Sequence, residues 1–153
     1  MFSEETLEEL LDEERRLTFP RFDNEDAFRL GCMLYADGAE EEAPYAIRIV
    51  VDDLIAFQAF MPGTGAENSN WLDRKCATVM HTGSSSYHAF VAKELYGEKE
   101  EWQRDGAYAL YGGGFPLTVD GQLHGVIAIS GMPHAKDHAR VVQTIEKFLR
   151  SEA

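Results

Sequence analysis

The sequence predicts an α+β fold, an antiparallel sheet covered by helices in a two-layer or three-layer arrangement. Tyr45, Ile47, Ile49 and Val51 alternate with Ala46, Arg48 and Val50, and LIAFQAF follows across Asp52-Asp53, as expected of a hairpin of two strands. A second hairpin runs through GGGFPLTVDGQLHGVIAISG, residues 112 to 131, around Asp120-Gly121. The segments outside these hairpins have helical periodicity, in the order helix, helix, hairpin, two helices, hairpin, helix.

A chain of 153 residues with 44% apolar composition can bury a real core without disulfides or a structural metal. The reading is one domain over residues 1–153, with an N-terminal helix at 3–16 and a core from 17 to 150. Acidic residues outnumber basic ones by 27 to 14, a formal net charge of −13. That charge repels phosphate backbones and anionic lipid, so nucleic-acid and membrane roles are not expected. Cys32 and Cys76 each sit in an apolar helical pattern, as buried free thiols would. With no CxxC spacing and no secretory leader, the expected compartment is the cytoplasm.

Ser3 caps the first helix, Glu4 and Glu5 suit its positive end, and Leu7, Leu10 and Leu11 form a narrow apolar stripe. LTFPRF is an extended link whose proline disfavours a central strand. Asp23 or Asn24 caps a second helix that is apolar on two sides, through Phe28, Cys32 and Tyr35 and through Ala27, Leu30 and Leu34. Such a helix needs cover from its own core and from something else. MPGTGAENSN reads as a loop, and Asn68 or Asn70 opens the helix NWLDRKCATVMH. One of Ser84, Ser85 and Ser86 caps YHAFVAKELYG, which Gly97 ends. EKEEWQRDGA is a charged connector, and Pro133 opens the last helix.

Gly112, Gly113 and Gly114 lead into Phe115-Pro116 and a strand, not into a helix N-terminus. A phosphate loop needs that helix, so the glycines mark a bend or a place where another group approaches the backbone.

YGGGFPL, the hairpin end ISGMP, KDH in the last helix, WLDRK followed by HTGSSSYHAF, and FDNEDAFRLG together resemble a family of small proteins grouped with haem-degrading domains. That group also holds extracellular haem-binding sensors and a glycolate-operon accessory protein. The resemblance spans residues 17 to 150 and implies a profilin-like fold and a tight homo-oligomer. It also brings in haem as a cofactor to consider.

Chemistry-bearing residues stand out where they break an apolar pattern. Trp71, Leu72, Cys76, Val79 and Met80 form one arc of their helix, and Lys75 projects into it. A lysine there snorkels, pairs with a carboxylate, or meets an anionic ligand. His138 falls on the stripe of Val141, Val142, Ile145, Phe148 and Leu149, where an imidazole either hydrogen-bonds inside a core or ligates iron. His134 and His138 are spaced i, i+4, but no third ligand accompanies them, so no metal site is assigned. GxSxG is absent, and the serines at 84–86 read as helix caps.

These readings converge on a small-molecule-binding or sensory module acting as a homo-oligomer. Lys75, Gly112, Gly113, Gly114, Ser130 and His138 would line the pocket, with haem or another carboxylate-bearing molecule as ligand. An assembly scaffold without a small ligand and an unassigned enzyme are the alternatives.

Overall fold

The chain pairs its two hairpins through their inner strands. The computed structural model describes residues 2–152. Its elements are α1 (Glu4–Arg16), α2 (Asn24–Glu40), β1 (Ala46–Val51), β2 (Leu54–Phe60), α3 (Ala66–Thr82), α4 (Ser86–Tyr96), β3 (Gly114–Val119), β4 (Gln122–Ser130) and α5 (His134–Ser151). The sheet order is β2-β1-β4-β3, antiparallel throughout, with Ala46 opposite Ser130 where β1 meets β4. Both hairpin turns use left-handed backbone, at Asp52 and Asp53 (φ 47° and 68°) and at Asp120 and Gly121 (φ 51° and 74°). These positive values match the right-handed twist of the strands they join.

Alternation along the strands sorts side chains between two faces. Ile47, Ile49, Phe115, Leu117, Ile127 and Ile129 pack against Leu30 and Leu34 of α2 and Val141, Ile145 and Phe148 of α5. On the other face, Ala46, Val126 and Ala128 meet Leu72 and Val79 of α3. The result is three layers, the larger of the two arrangements that the pattern allowed. α4 lies beyond β3, and α1 packs on α4. Phe19, just before Pro20, makes one parallel bridge to Val119, as far as the link joins the sheet.

Asp23 and Asp26 cap α2 reciprocally, each side chain accepting from the other's backbone N–H at 2.9 Å. α3 starts earlier than its asparagines suggest. Asn68 folds back so that its Oδ1 accepts from the N–H of Gly65 at 3.0 Å, which adds residues to the helix start. The charged connector contains a 3-10 turn at Glu100–Arg104, where Trp102 stacks on Tyr108 at 3.9 Å.

Two burial expectations are corrected. Cys32 is exposed, because α2 leaves its Phe28–Tyr35 side uncovered. Met80 is also exposed, although Val79 beside it packs on the sheet. Cys76 is half-buried, and burial pushes its thiol up to about 12. Among the described residues, no helix is long and apolar enough to cross a membrane.

Candidate functional site

Lys75 lies one turn from both Leu72 and Val79, so α3 must carry its side chain under the sheet. The ammonium donates to the carbonyl of Ile129 at 3.0 Å and to Oδ2 of Asp137 at 3.2 Å. Asp137 sits in the first turns of α5, and its carboxylate also accepts from the backbone N–H groups of Gly131 (3.3 Å) and Met132 (3.1 Å). One carboxylate thereby fixes the β4–α5 turn and meets the cation from α3. The side chains of Lys75 and Asp137 are 4% and 1% exposed. Burial pushes the lysine down and the aspartate up, while their mutual attraction opposes both shifts.

The triple glycine makes room for this pair. A Cβ at Gly113 would lie 2.5 Å from the Ile129 carbonyl and 2.7 Å from Nζ of Lys75, and its φ of +131° suits glycine alone. A Cβ at Gly112 would meet the His134 carbonyl at 2.4 Å, and one at Gly114 would meet Val79 at 2.9 Å. Gly114 also donates its N–H to the Ser86 hydroxyl at 2.9 Å. The approaching groups all belong to the protein itself.

A cavity of about 550 Å³ opens beside the pair. Lys75, Asp137 and Ser130 form part of its wall, with Asn68, Trp71, Tyr111 and His134 around them. Trp71 and Tyr111 meet edge to face at 5.8 Å, and Tyr111 meets His134 at 5.2 Å. Arg74 covers the Trp71 ring at 4.4 Å, which holds the indole in place. Asn68 reaches across from α3 and donates to the Ser130 carbonyl at 3.1 Å.

His134 accepts the N–H of Gly112 on Nδ1 at 2.9 Å. That bond places the ring proton on Nε2, so the imidazole presents a donor. Burial, followed by the Lys75 charge, holds its titration below the usual range and keeps the ring neutral. His138 does not line the cavity. Its Nε2 faces Glu13 of α1 at 2.9 Å, its ring stacks on Tyr87 at 4.9 Å, and its buried Nδ1 has no partner.

Of the six residues picked out in the sequence, the structure brings Lys75 and Ser130 to the cavity and sets Gly113 directly behind the amine. Gly112 and Gly114 support that wall, and His138 points to α1. Of the three serines open as caps in the sequence, Ser85 caps α4 by accepting from the N–H of His88 at 3.1 Å. The wall residues absent from the pocket expected in the sequence are Glu67, Asn68, Trp71, Tyr111, Gly131, Met132, His134 and Asp137. Tyr111 immediately precedes the glycines and Asp137 immediately precedes His138, so adjacency was the available signal.

Residues 22–146 match the model of the family described as haem degrading protein HbpS-like. The chain belongs to this family. A UPF0303 protein of Streptomyces coelicolor is 40% identical over 148 residues, 94% of each chain. Another, from Psychromonas ingrahamii, is 32% identical across 99% of this chain and 98% of its own. Among solved structures, the Ybr137w protein superposes with a TM-score of 0.87 at 28% identity, covering 95% of this chain and 88% of that one. The PduOC:heme complex gives 0.71 at 20% identity, over 83% and 94% of the two chains. At that identity the likeness is one of fold.

Proposed function

We propose that the protein is a small-molecule-binding module and that the cavity beside Lys75 takes a flat, carboxylate-bearing ligand. The observation that carries this reading is a buried ammonium opening on an aromatic-walled space. Trp71 and Tyr111 offer ring faces, while Lys75, the Ser130 hydroxyl and the Nε2–H of His134 offer donors.

Haem is the first ligand to test, because the family model carries that name and a neighbour of like fold was solved with haem. The donors suit its propionates. The imidazoles do not suit its iron as they stand: Nδ1 of His134 is taken by Gly112, its Nε2 carries the proton, and His138 faces Glu13. Haemin and iron-free protoporphyrin should therefore bind with affinities within about threefold, a difference under 1 kcal/mol. A histidine-ligated Soret band, lost on substitution of His134 or His138, would contradict this reading. So would the absence of saturable binding by either porphyrin and by smaller aromatic carboxylates.

The module acts as a homo-oligomer in this reading. Phe28 and Tyr35 on α2 and Leu54, Ile55 and Phe60 on β2 are exposed, and Phe28 meets Phe57 of β2 at 6.1 Å. β2, LIAFQAF, is a sheet-edge strand without a charged residue, in a chain of net charge −13. Natural edge strands are usually shielded by charge or proline, and this one has neither. Light scattering checks the point, and a stable monomer at micromolar concentration would remove it.

A further inference from the structure

We propose that Lys75 captures an aldehyde or ketone ligand as a protonated imine, with Asp137 relaying the proton. This rests on the cavity being a ligand site and names the reactive group its ligand would carry.

The choice of cation is the first argument. Among the described residues, the buried cations are Arg48, Lys75 and Arg140. Arg48 holds Gln58 and the exposed Asp73, and Arg140 holds the exposed Glu41 at 2.5 Å, so both guanidiniums turn their planar fork toward carboxylates at the surface. The one lysine among them forms part of a cavity wall. A lysine is the weaker structural tie, but it alone of these cations can give up a proton and act as a nucleophile.

The amine is also placed for that role. Two of its three N–H bonds go to Ile129 and Asp137, and Gly113 backs it from the side that a Cβ would fill. Its remaining valence belongs to a group that borders open volume. Burial disfavours the ammonium and the carboxylate alike, which eases proton transfer between them.

The step balances without an oxidant. The ammonium passes one proton to the Asp137 carboxylate. The freed lone pair forms the C–N bond, and the carbonyl π pair moves to oxygen. A second proton shifts from nitrogen to that oxygen, giving the neutral carbinolamine. Asp137 then returns its proton to the hydroxyl, which leaves as water while the C=N bond forms. The iminium keeps the positive charge of the original ammonium, so the pair with Asp137 survives. His134 Nε2–H and the Ser130 hydroxyl are donors on the cavity wall available to hold the carbonyl oxygen.

The experiment uses the full chain with salicylaldehyde and cyanoborohydride at pH 7, followed by intact mass and peptide mapping. An exposed lysine at that pH is unprotonated in only roughly one molecule in two thousand. Lys75 should be labelled at least tenfold faster than Lys93, Lys99, Lys136 or Lys147, with the N-terminal amine scored separately. Lys75→Arg keeps a cation for Asp137 and should keep the unfolding midpoint within reach of wild type while losing this adduct. Salicylate, which has the same ring but no aldehyde, is titrated in parallel. Saturable salicylate binding without a Lys75 adduct would overturn the imine and leave the binding site standing. Failure of both probes would overturn both, and labelling spread evenly over the lysines would overturn the imine.

Discussion

Replacing Asp137 by asparagine removes the charge and nearly keeps the shape. Lys75 then retains its ammonium under the sheet, with a 4% exposed side chain and the Ile129 carbonyl as its remaining strong partner. Breaking a buried pair by removing one member costs about 3–5 kcal/mol, because the other charge is left uncompensated. In a chain of this length each kcal/mol lowers the melting temperature by about 2–4 °C, so Asp137→Asn should melt roughly 6–20 °C below wild type. The double variant Lys75→Met/Asp137→Asn removes both charges. Its asparagine oxygen can still accept from Met132, so it should recover to within about 2 kcal/mol of wild type. Urea unfolding of wild type, Lys75→Met, Asp137→Asn and the double variant measures the coupling directly. Single variants that each cost under about 1 kcal/mol, or whose costs simply add, would refute the claim that these two groups form a buried pair.

Gly113→Ala should lose about 1–3 kcal/mol from backbone strain alone, since φ is +131°, and more from displacing Ile129 and Lys75; thermal melts would show a change under 0.5 kcal/mol as the contrary result. Asp37 is pushed up by burial but pulled further down by Lys147, Thr144 and Arg140, so its net shift is downward. Its contribution to stability is therefore present above the unfolded value near 3.8 and lost as pH falls through the lower folded value, and Asp37→Asn should flatten the unfolding midpoint's decline in that acid range. His134 titrates below its ordinary 6.5 because it is buried, so the unfolded chain takes up more protons and stability falls as pH drops below about 6.5; an imidazole NMR titration at or above that value would contradict the assigned bond to Gly112. Phe28→Glu should shift the light-scattering mass toward the monomer without changing the melting profile of the isolated subunit, because Phe28 is 59% exposed.

Most of the fold was legible because the signals were local. Asp120-Gly121 and Asp52-Asp53 set their hairpins by local backbone preference, through positive φ at all four residues. Asp23 and Ser85 announce their helices in the same local way. The start of α3 was not legible, since it depends on Asn68 turning back to Gly65. Neither was the exposure of Cys32, because a helical pattern shows which side chains share a face and not what covers that face.

At the site, Lys75 was visible as a charge on an apolar arc, and its partner was not. Asp137 looked like an ordinary acidic residue in a first helical turn, and only the β4–α5 turn brings it to a lysine 62 positions away. His138 matched the same kind of pattern break as Lys75, yet α1 supplies Glu13 to it from the opposite side. The choice between His134 and His138 is one helical turn, and the approach of Gly112 to His134 decides it. That approach is a tertiary fact with no trace in the spacing of the histidines.

The most direct test of the site is quenching of Trp71 fluorescence by protoporphyrin and by salicylate. The measurement is made in a Trp102→Phe background, which leaves Trp71 as the sole tryptophan. Saturable quenching that weakens at least tenfold in the Lys75→Met/Asp137→Asn protein is the predicted result. Quenching that is absent, or equally strong without the lysine, would contradict a ligand site built around the buried ammonium.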